Sequence, residues 1–217
     1  ELIDFMPRYK AENGHYNTPP EIIRMIHLVS GKPKVIFHFD PRLGYAEYET
    51  VTEARHKYIK SFTDNKSYES IYLYTDLQFD DIVSGNRIEI DRDCFFVISY
   101  NQKLINIDRK KIQLEFERTQ VYWLNWLDRT IQFQEYEEEI MRSALVLKLL
   151  AFHKTGAIIA AATTSLPETI GEIRNWDYRF CWVRDASMVI SILTAICHYN
   201  SARRFLNFII NAIPYKD

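Results

Sequence analysis

The chain has 217 residues, 47% of them hydrophobic and 26% charged, with a net charge of −2. That composition belongs to a soluble globular protein with a core of ordinary size, and it lacks the basic excess of a nucleic-acid binder. The longest apolar runs, 157–162 and 188–197, fall well short of the ~20 residues of a membrane span, and ELIDFMPRYK has no signal-peptide apolar region.

Residues 1 to about 115 read as strands. Segment 34–40, KVIFHFD, alternates Val35, Phe37 and Phe39 with Lys34, His38 and Asp40, the period of a half-buried strand. Ahead of it, EIIRMIHLV ends at the turn signal Ser30-Gly31-Lys32-Pro33, which predicts a hairpin between the two runs. AEYETVTE, KYIKSF, SIYLYTD, NRIEI and CFFVISY are further strands, parted by turn clusters such as TDNKS and VSGN. Short strands at this spacing predict antiparallel sheets packed face to face. ELIDFMPRYK begins in mid-strand, so the chain reads as part of a longer one.

The pattern changes near residue 118. TQVYWLNWLDRTIQ, with Trp123 and Trp126, reads as a short linker helix within 118–134. From Glu135 to Phe152, Tyr136, Ile140, Ala144, Leu147 and Ala151 form a helical stripe. Glu135, Glu137, Glu138 and Glu139 crowd its first turns, where the helix dipole favours negative charge. The extended stretch GAIIAAATTSLPE follows, then a helix from about Asp185 to Tyr199, and a last one from Ser201 to Ile213 that stops at Pro214. The organisation expected is a β domain over 1–117, a linker helix over 118–134, and the start of a helical domain over 135–217. The apolar faces at 140–151 and 186–197 call for further helices.

The three cysteines, Cys94, Cys181 and Cys197, are an odd number without metal-type spacing. They read as reduced, buried thiols, which favours a cytoplasmic protein. No His or Lys marks Cys181 as a nucleophile, and the six histidines are scattered singly. No metal site and no cofactor is expected.

The chemistry concentrates in GEIRNWDYRFCWVRDAS, which sets Trp176, Asp177, Tyr178, Trp182, Arg184 and Asp185 just ahead of a helix. Sugar rings are recognised by flat aromatic faces against their C–H side and by charged planar groups against their hydroxyls. Aspartate accepts hydroxyl protons, arginine donates in a fixed fork, and such charge-assisted bonds are roughly twice as strong as neutral ones. Tyr and Trp add contact area at little entropic cost. Plainer roles fit as well. Asp185 could cap the helix, Arg184 could be a surface residue or the partner of Asp177, and Trp176 and Trp182 could be core anchors.

TTSLPETIGEIRNWDYRFCWVRDAS resembles the hallmark region of glycoside hydrolase family 15, the glucoamylase-like and trehalase-like enzymes. The resemblance continues through MRSALVLKLLAFHKTGAIIAAATTSLPE, Tyr122-Trp123 and Trp126 to the N-terminal IDFMP and PPEIIRMIHLVSG, so it covers essentially the whole chain. It implies a multidomain β-then-α fold, an antiparallel β-super-sandwich followed by an (α/α)6 barrel. Here the sandwich would lack its N-terminal part and the barrel would be represented by its first helices. It also implies inverting hydrolysis of an α-glucoside: trehalose, malto-oligosaccharides or a related α-glucan. By this resemblance Arg184 and Asp185 hydrogen-bond the glucose of the first subsite, and Trp182 and Tyr178 line the same pocket. The family's two catalytic glutamates belong to later barrel segments, so no catalytic residue is expected in this chain. Glu168 and Glu172 do not match the acid or base positions. Phe180 stands where tyrosine is commoner, and Glu172 and Ile173 stand where a second glycine and a small or branched residue are usual. A glycan-binding relative without the chemistry, or a phosphorolytic enzyme of related architecture, would share these features.

Overall fold

A computed structural model describes residues 1–63 and 69–212. The chain divides into two compact units, Glu1–Tyr122 and Trp123–Asp217. In chain order the strands of the first unit are β1 (Leu2–Phe5), β2 (Tyr9–Lys10), β3 (Tyr16–Asn17), β4 (Glu21–Ile26), β5 (Lys34–Ile36), β6 (Thr50–Ala54), β7 (Ile59–Thr63), β8 (Ser70–Thr75), β9 (Arg87–Glu89) and β10 (Cys94–Tyr100). Six of them form one antiparallel sheet in the order β1-β4-β10-β8-β7-β6, while β2 pairs with β3 and β5 with β9 in two small ribbons.

The sheet is organised around β10, CFFVISY, whose apolar residues do not alternate because both of its faces are covered. On one face Phe95 and Val97 meet Ile23 and Met25 of β4, Tyr74 of β8 and Ile112. On the other, Phe96 meets Ile59, Leu73 and Ile82, with Phe37, Phe39 and Ile88 packed against them. The expected pair of facing sheets is thus one large sheet, its second face covered by the β5–β9 ribbon and the short helix α1 (Phe79–Val83).

The hairpin expected between EIIRMIHLV and KVIFHFD does not form. β4 lies between β1 and β10, with Ile23 opposite Phe5 and Val97, and β5 pairs with β9, Val35 opposite Ile88. The reason is burial: the buried Ile23 and Met25 of β4 share a face, which a central position covers and a two-stranded hairpin leaves open. The turn residues Ser30 and Gly31 accordingly serve a connection between sheets. Of the turn expected at TDNKS, only Thr63 is among the described residues.

Helix α2 (Arg109–Leu127) begins nine residues before the expected linker. Asp108 starts it, its Oδ1 accepting the Lys111 amide at 2.8 Å. Ile112 and Phe116, one turn apart, then close the first sheet cluster. The strand reading overran this region because it missed the cap signal at Asp108.

In the second unit α3 (Glu137–Leu149), α4 (Val183–Ala195) and α5 (Tyr199–Ala212) follow the expected helices, each starting two residues earlier or later and ending one to four residues short. The expected stop at Pro214 lies outside the described residues. α4 has a packed neighbour on two sides. Ala144 of α3 meets Leu193 and Ile196, and Phe205 of α5 meets Ala186 and Ile158. At the α4–α5 elbow Cys197 takes a left-handed conformation (φ 72°), and the buried His198 stacks on Trp126 at 3.7 Å between ring centres. Of the three thiols only Cys94 is buried; Cys181 and Cys197 are half-buried, and all three are free.

Candidate functional site

The site segment is built by the chain folding back on itself within the second unit. TTSLPE and RNWDYR run antiparallel: the Ala161 amide donates to the Tyr178 carbonyl at 3.0 Å, Ser165 to Trp176 at 2.7 Å and Glu168 to Arg174 at 3.0 Å. The reversal closes where the Glu172 amide donates to the Thr169 carbonyl at 3.1 Å, with Gly171 at φ 85°. A side chain at Gly171 would be strained in that conformation, which accounts for the one glycine the loop keeps.

Side chains along 176–180 take alternate faces of this extended stretch. Asp177 and Arg179 share one of them and form a two-pronged ion pair, Nε to Oδ1 at 3.0 Å and Nη2 to Oδ2 at 2.8 Å. The Arg179 amide also donates to Asp177 Oδ1 at 2.9 Å. These bonds, the guanidinium's foremost, hold the Asp177 carboxyl down to about 2. Asp177 is therefore held in its ionised form near neutral pH, committed to Arg179. Its partner is Arg179, not Arg184.

Tyr178 lies on the opposite face, 38% exposed, as does Trp176, 47% exposed. The Trp176 indole N–H donates to Glu168 Oε1 at 2.7 Å, and its amide donates to Ser165 Oγ at 2.7 Å. This Glu168–Trp176 bond was not legible in the sequence, because it joins residues eight apart across an irregular turn.

Next along the chain, Cys181 turns inward against the Ile158–Ala186–Phe205 cluster. That places a structural thiol between the exposed Phe180 and Trp182, the latter 42% exposed. Trp182 itself takes the cap position of α4 in an extended conformation, its carbonyl accepting the Ala186 amide at 2.9 Å. The helix thus begins earlier than expected, and Asp185 is not its cap. Asp185 sits in the first turn, where the dipole favours its charge. Arg184 Nη2 reaches Asp185 Oδ2 at 3.1 Å, and the Arg184 guanidinium lies 5.7 Å from the Trp182 ring centre.

The fold thus brings Trp182, Arg184 and Asp185 into contact at the mouth of α4. Tyr178 stands apart on the extended stretch, held there by its carbonyl. The two tryptophans are surface rings in this unit and not core anchors. An exposed guanidinium, a carboxylate and a partly exposed indole are the elements that grip a polyhydroxylated ring. Among the described residues no group of three or more His, Cys, Asp or Glu is arranged to hold a metal ion, and no helix is long and apolar enough to cross a membrane.

Comparison with known proteins places this segment in context. The sequence model of glycosyl hydrolases family 15 matches residues 134–214, which include every residue of the site. The trehalase of Thermoplasma volcanium is 34% identical over 211 residues, covering 94% of this chain and 33% of the relative. The trehalase of Thermoplasma acidophilum is 32% identical over 220 residues, covering 99% of this chain and 37% of the relative. Trehalase 1 of Sulfolobus acidocaldarius is 32% identical over 183 residues, covering 82% and 31% respectively. The chain thus spans about a third of the length of these relatives. No solved structure matches. Residues 134–214 thus belong to glycosyl hydrolases family 15, and the similarity to trehalases runs through both units.

Proposed function

We propose that this chain is the sugar-gripping part of an inverting α-glucoside hydrolase acting on trehalose, malto-oligosaccharides or a related α-glucan. The observation that carries the reading is the contact of Trp182, Arg184 and Asp185 at the head of α4, inside the segment matched by the family. Arg184 and Asp185 grip the hydroxyls of the terminal glucose, and Trp182 and Tyr178 face its C–H side. The similarity to trehalases favours a two-sugar substrate.

An inverting mechanism needs a carboxylic acid and a carboxylate roughly 6.5–9.5 Å apart, one protonating the leaving oxygen and one activating water. The carboxylates of the site segment suit neither role. Asp177 is locked by Arg179, Asp185 faces Arg184, and Glu168 accepts the Trp176 indole. The family resemblance assigns the acid and base to later barrel glutamates, and the 217 residues alone are assigned no turnover. One feature supports the barrel: α4 keeps Met188 and Ile192 exposed opposite its buried Ala186 and Leu193, and a helix with apolar residues on two opposite sides calls for partners on both.

The test uses the complete protein, incubated separately with trehalose and with maltotriose while proton NMR follows the first sugar released. Fresh β-glucose from either substrate is the expected result and selects the trehalase or the glucoamylase branch. Inversion of trehalose frees one β-glucose beside the α-glucose that leaves, so release of α-glucose without β-glucose would overturn the inverting mechanism, and no turnover of either would overturn the assignment to these substrates.

A further inference from the structure

Trp176 is a surface ring of the second unit held at both its indole edge and its backbone. An exposed indole ordinarily satisfies its N–H with water and samples several rotamers. Here the N–H is committed to the Glu168 carboxylate at 2.7 Å, and the amide of the same residue to Ser165 Oγ at 2.7 Å. Glu168 is itself fixed, its amide donating to the Arg174 carbonyl at 3.0 Å and its Oε2 facing the Arg174 guanidinium at 3.6 Å. A charged acceptor on the ring edge determines the ring plane and leaves the flat face open.

The placement of that face gives the bond a purpose. The Asp177–Arg179 pair occupies one side of the stretch, so Trp176 and Tyr178 project from the other, one strand repeat of about 6.6–6.8 Å apart. That step suits neighbouring sugar rings better than two contacts on one ring. We propose that Glu168 is a positioning residue that fixes the Trp176 indole as a stacking platform for the second sugar ring of the substrate. The platform continues the aromatic wall begun at Tyr178. This inference rests on the α-glucosidase reading and adds how the part of the substrate beyond the first glucose is selected. Glu168 acts through Trp176 and does not touch the reacting atoms.

The experiment compares Glu168→Leu, Glu168→Gln and Trp176→Phe in the complete protein on two substrates, a disaccharide α-glucoside and α-glucosyl fluoride, which has no second ring. The expected result is a roughly tenfold loss of kcat/KM on the disaccharide for Glu168→Leu, the weight of one charge-assisted hydrogen bond expressed as a rate. Activity on the fluoride should be unchanged. Glu168→Gln retains an oxygen for the indole N–H and should restore most of the loss. Equal losses on both substrates, following thermal stability alone, would make the bond a mere brace and overturn the proposal. A second measurement keeps the inference independent of turnover. In protein labelled with nitrogen-15 on its tryptophans, the indole resonance missing from Trp176→Phe should shift with a non-hydrolysable, sulfur-linked α-disaccharide and not with glucose. Protein that turns over neither substrate would sink the enzymatic reading by itself, and absence of that indole shift would sink the platform.

Discussion

The two units use their apolar side chains differently. In the first, β10 is apolar on both faces, and each face is met within the unit, by β4, Tyr74 and Ile112 on one side and by Leu73, Ile82 and Phe37 on the other. In the second, α4 has Ala186 and Leu193 buried while Val183, Met188 and Ile192 are exposed, and Trp176, Phe180 and Trp182 stand at the surface just before it. The first unit covers both faces of its central strand from within. The second devotes a large share of its apolar surface to contacts beyond its own small clusters, and its site lies on that outward side.

The sharpest way to break this contrast is to open a cavity in each unit. Leu73 and Leu193 are both among the fully buried side chains. Truncating either to alanine should cost about 2–5 kcal/mol, with the larger cost where neighbours cannot collapse into the space. Leu73 is packed from a sheet, so Leu73→Ala should fall at the upper end. Leu193 belongs to a cluster of a few helical side chains that can readjust, so Leu193→Ala should fall lower. Chemical denaturation of each variant, with amide exchange followed on β10 and on α4, would show it. Equal costs would erase the distinction between a closed core and an open one.

A second test separates site from scaffold. Asp185→Ala should lower kcat/KM of the complete enzyme by about 1.5–3 kcal/mol, since a sugar hydroxyl would lose a charged acceptor. Stability should scarcely change, because the exposed Arg184 pair contributes little. Steady-state kinetics beside a thermal melt would decide. Lost stability with kcat/KM intact would return Asp185 to the role of a simple helix-start charge.

How much of this was legible in the sequence follows the same division. The strands KYIKSF, SIYLYTD and CFFVISY were readable because local residue types suit a pleated, half-buried surface. Their pairing was not: the placement of β4 between β1 and β10 depends on Phe5 and Val97, far away in sequence. The start of helix α2 has no distinct local signature, since Asp108 resembles any loop aspartate and only its bond to the Lys111 amide makes it a cap. In the site, residue types alone pointed to a sugar, but they left open whether Asp185 capped the helix and whether Arg184 reached Asp177. Those choices rest on a two-residue shift in the helix start and on the reach of Arg179, neither of which has a local signature. The Glu168–Trp176 bond needed the fold-back of 160–180 to exist at all.

The smallest effect, taken over any one pH unit, concerns the elbow that ends α4. His198 is only 6% exposed, stacked on Trp126 and hydrogen-bonded through Nε2 to Thr130 Oγ1 at 2.8 Å. Burial, with lesser contributions from the Lys148 and Arg129 charges, pushes its pKa from 6.5 down to about 4. The unfolded chain thus takes up a proton near pH 6.5 while the folded one resists until about 4. Stability is full above 6.5 and falls as pH drops through that window, by at most about 1.4 kcal/mol per pH unit for one proton. His198→Gln keeps a polar group for Thr130 and cannot titrate, so the difference between wild type and variant isolates this proton. Urea midpoints of both proteins, read by tryptophan fluorescence between pH 7 and 4.5, should converge toward low pH from a wild type that is the more stable at neutrality. Parallel curves would show that the elbow carries no proton-linked weakness, and that acid sensitivity does not distinguish the second unit from the first.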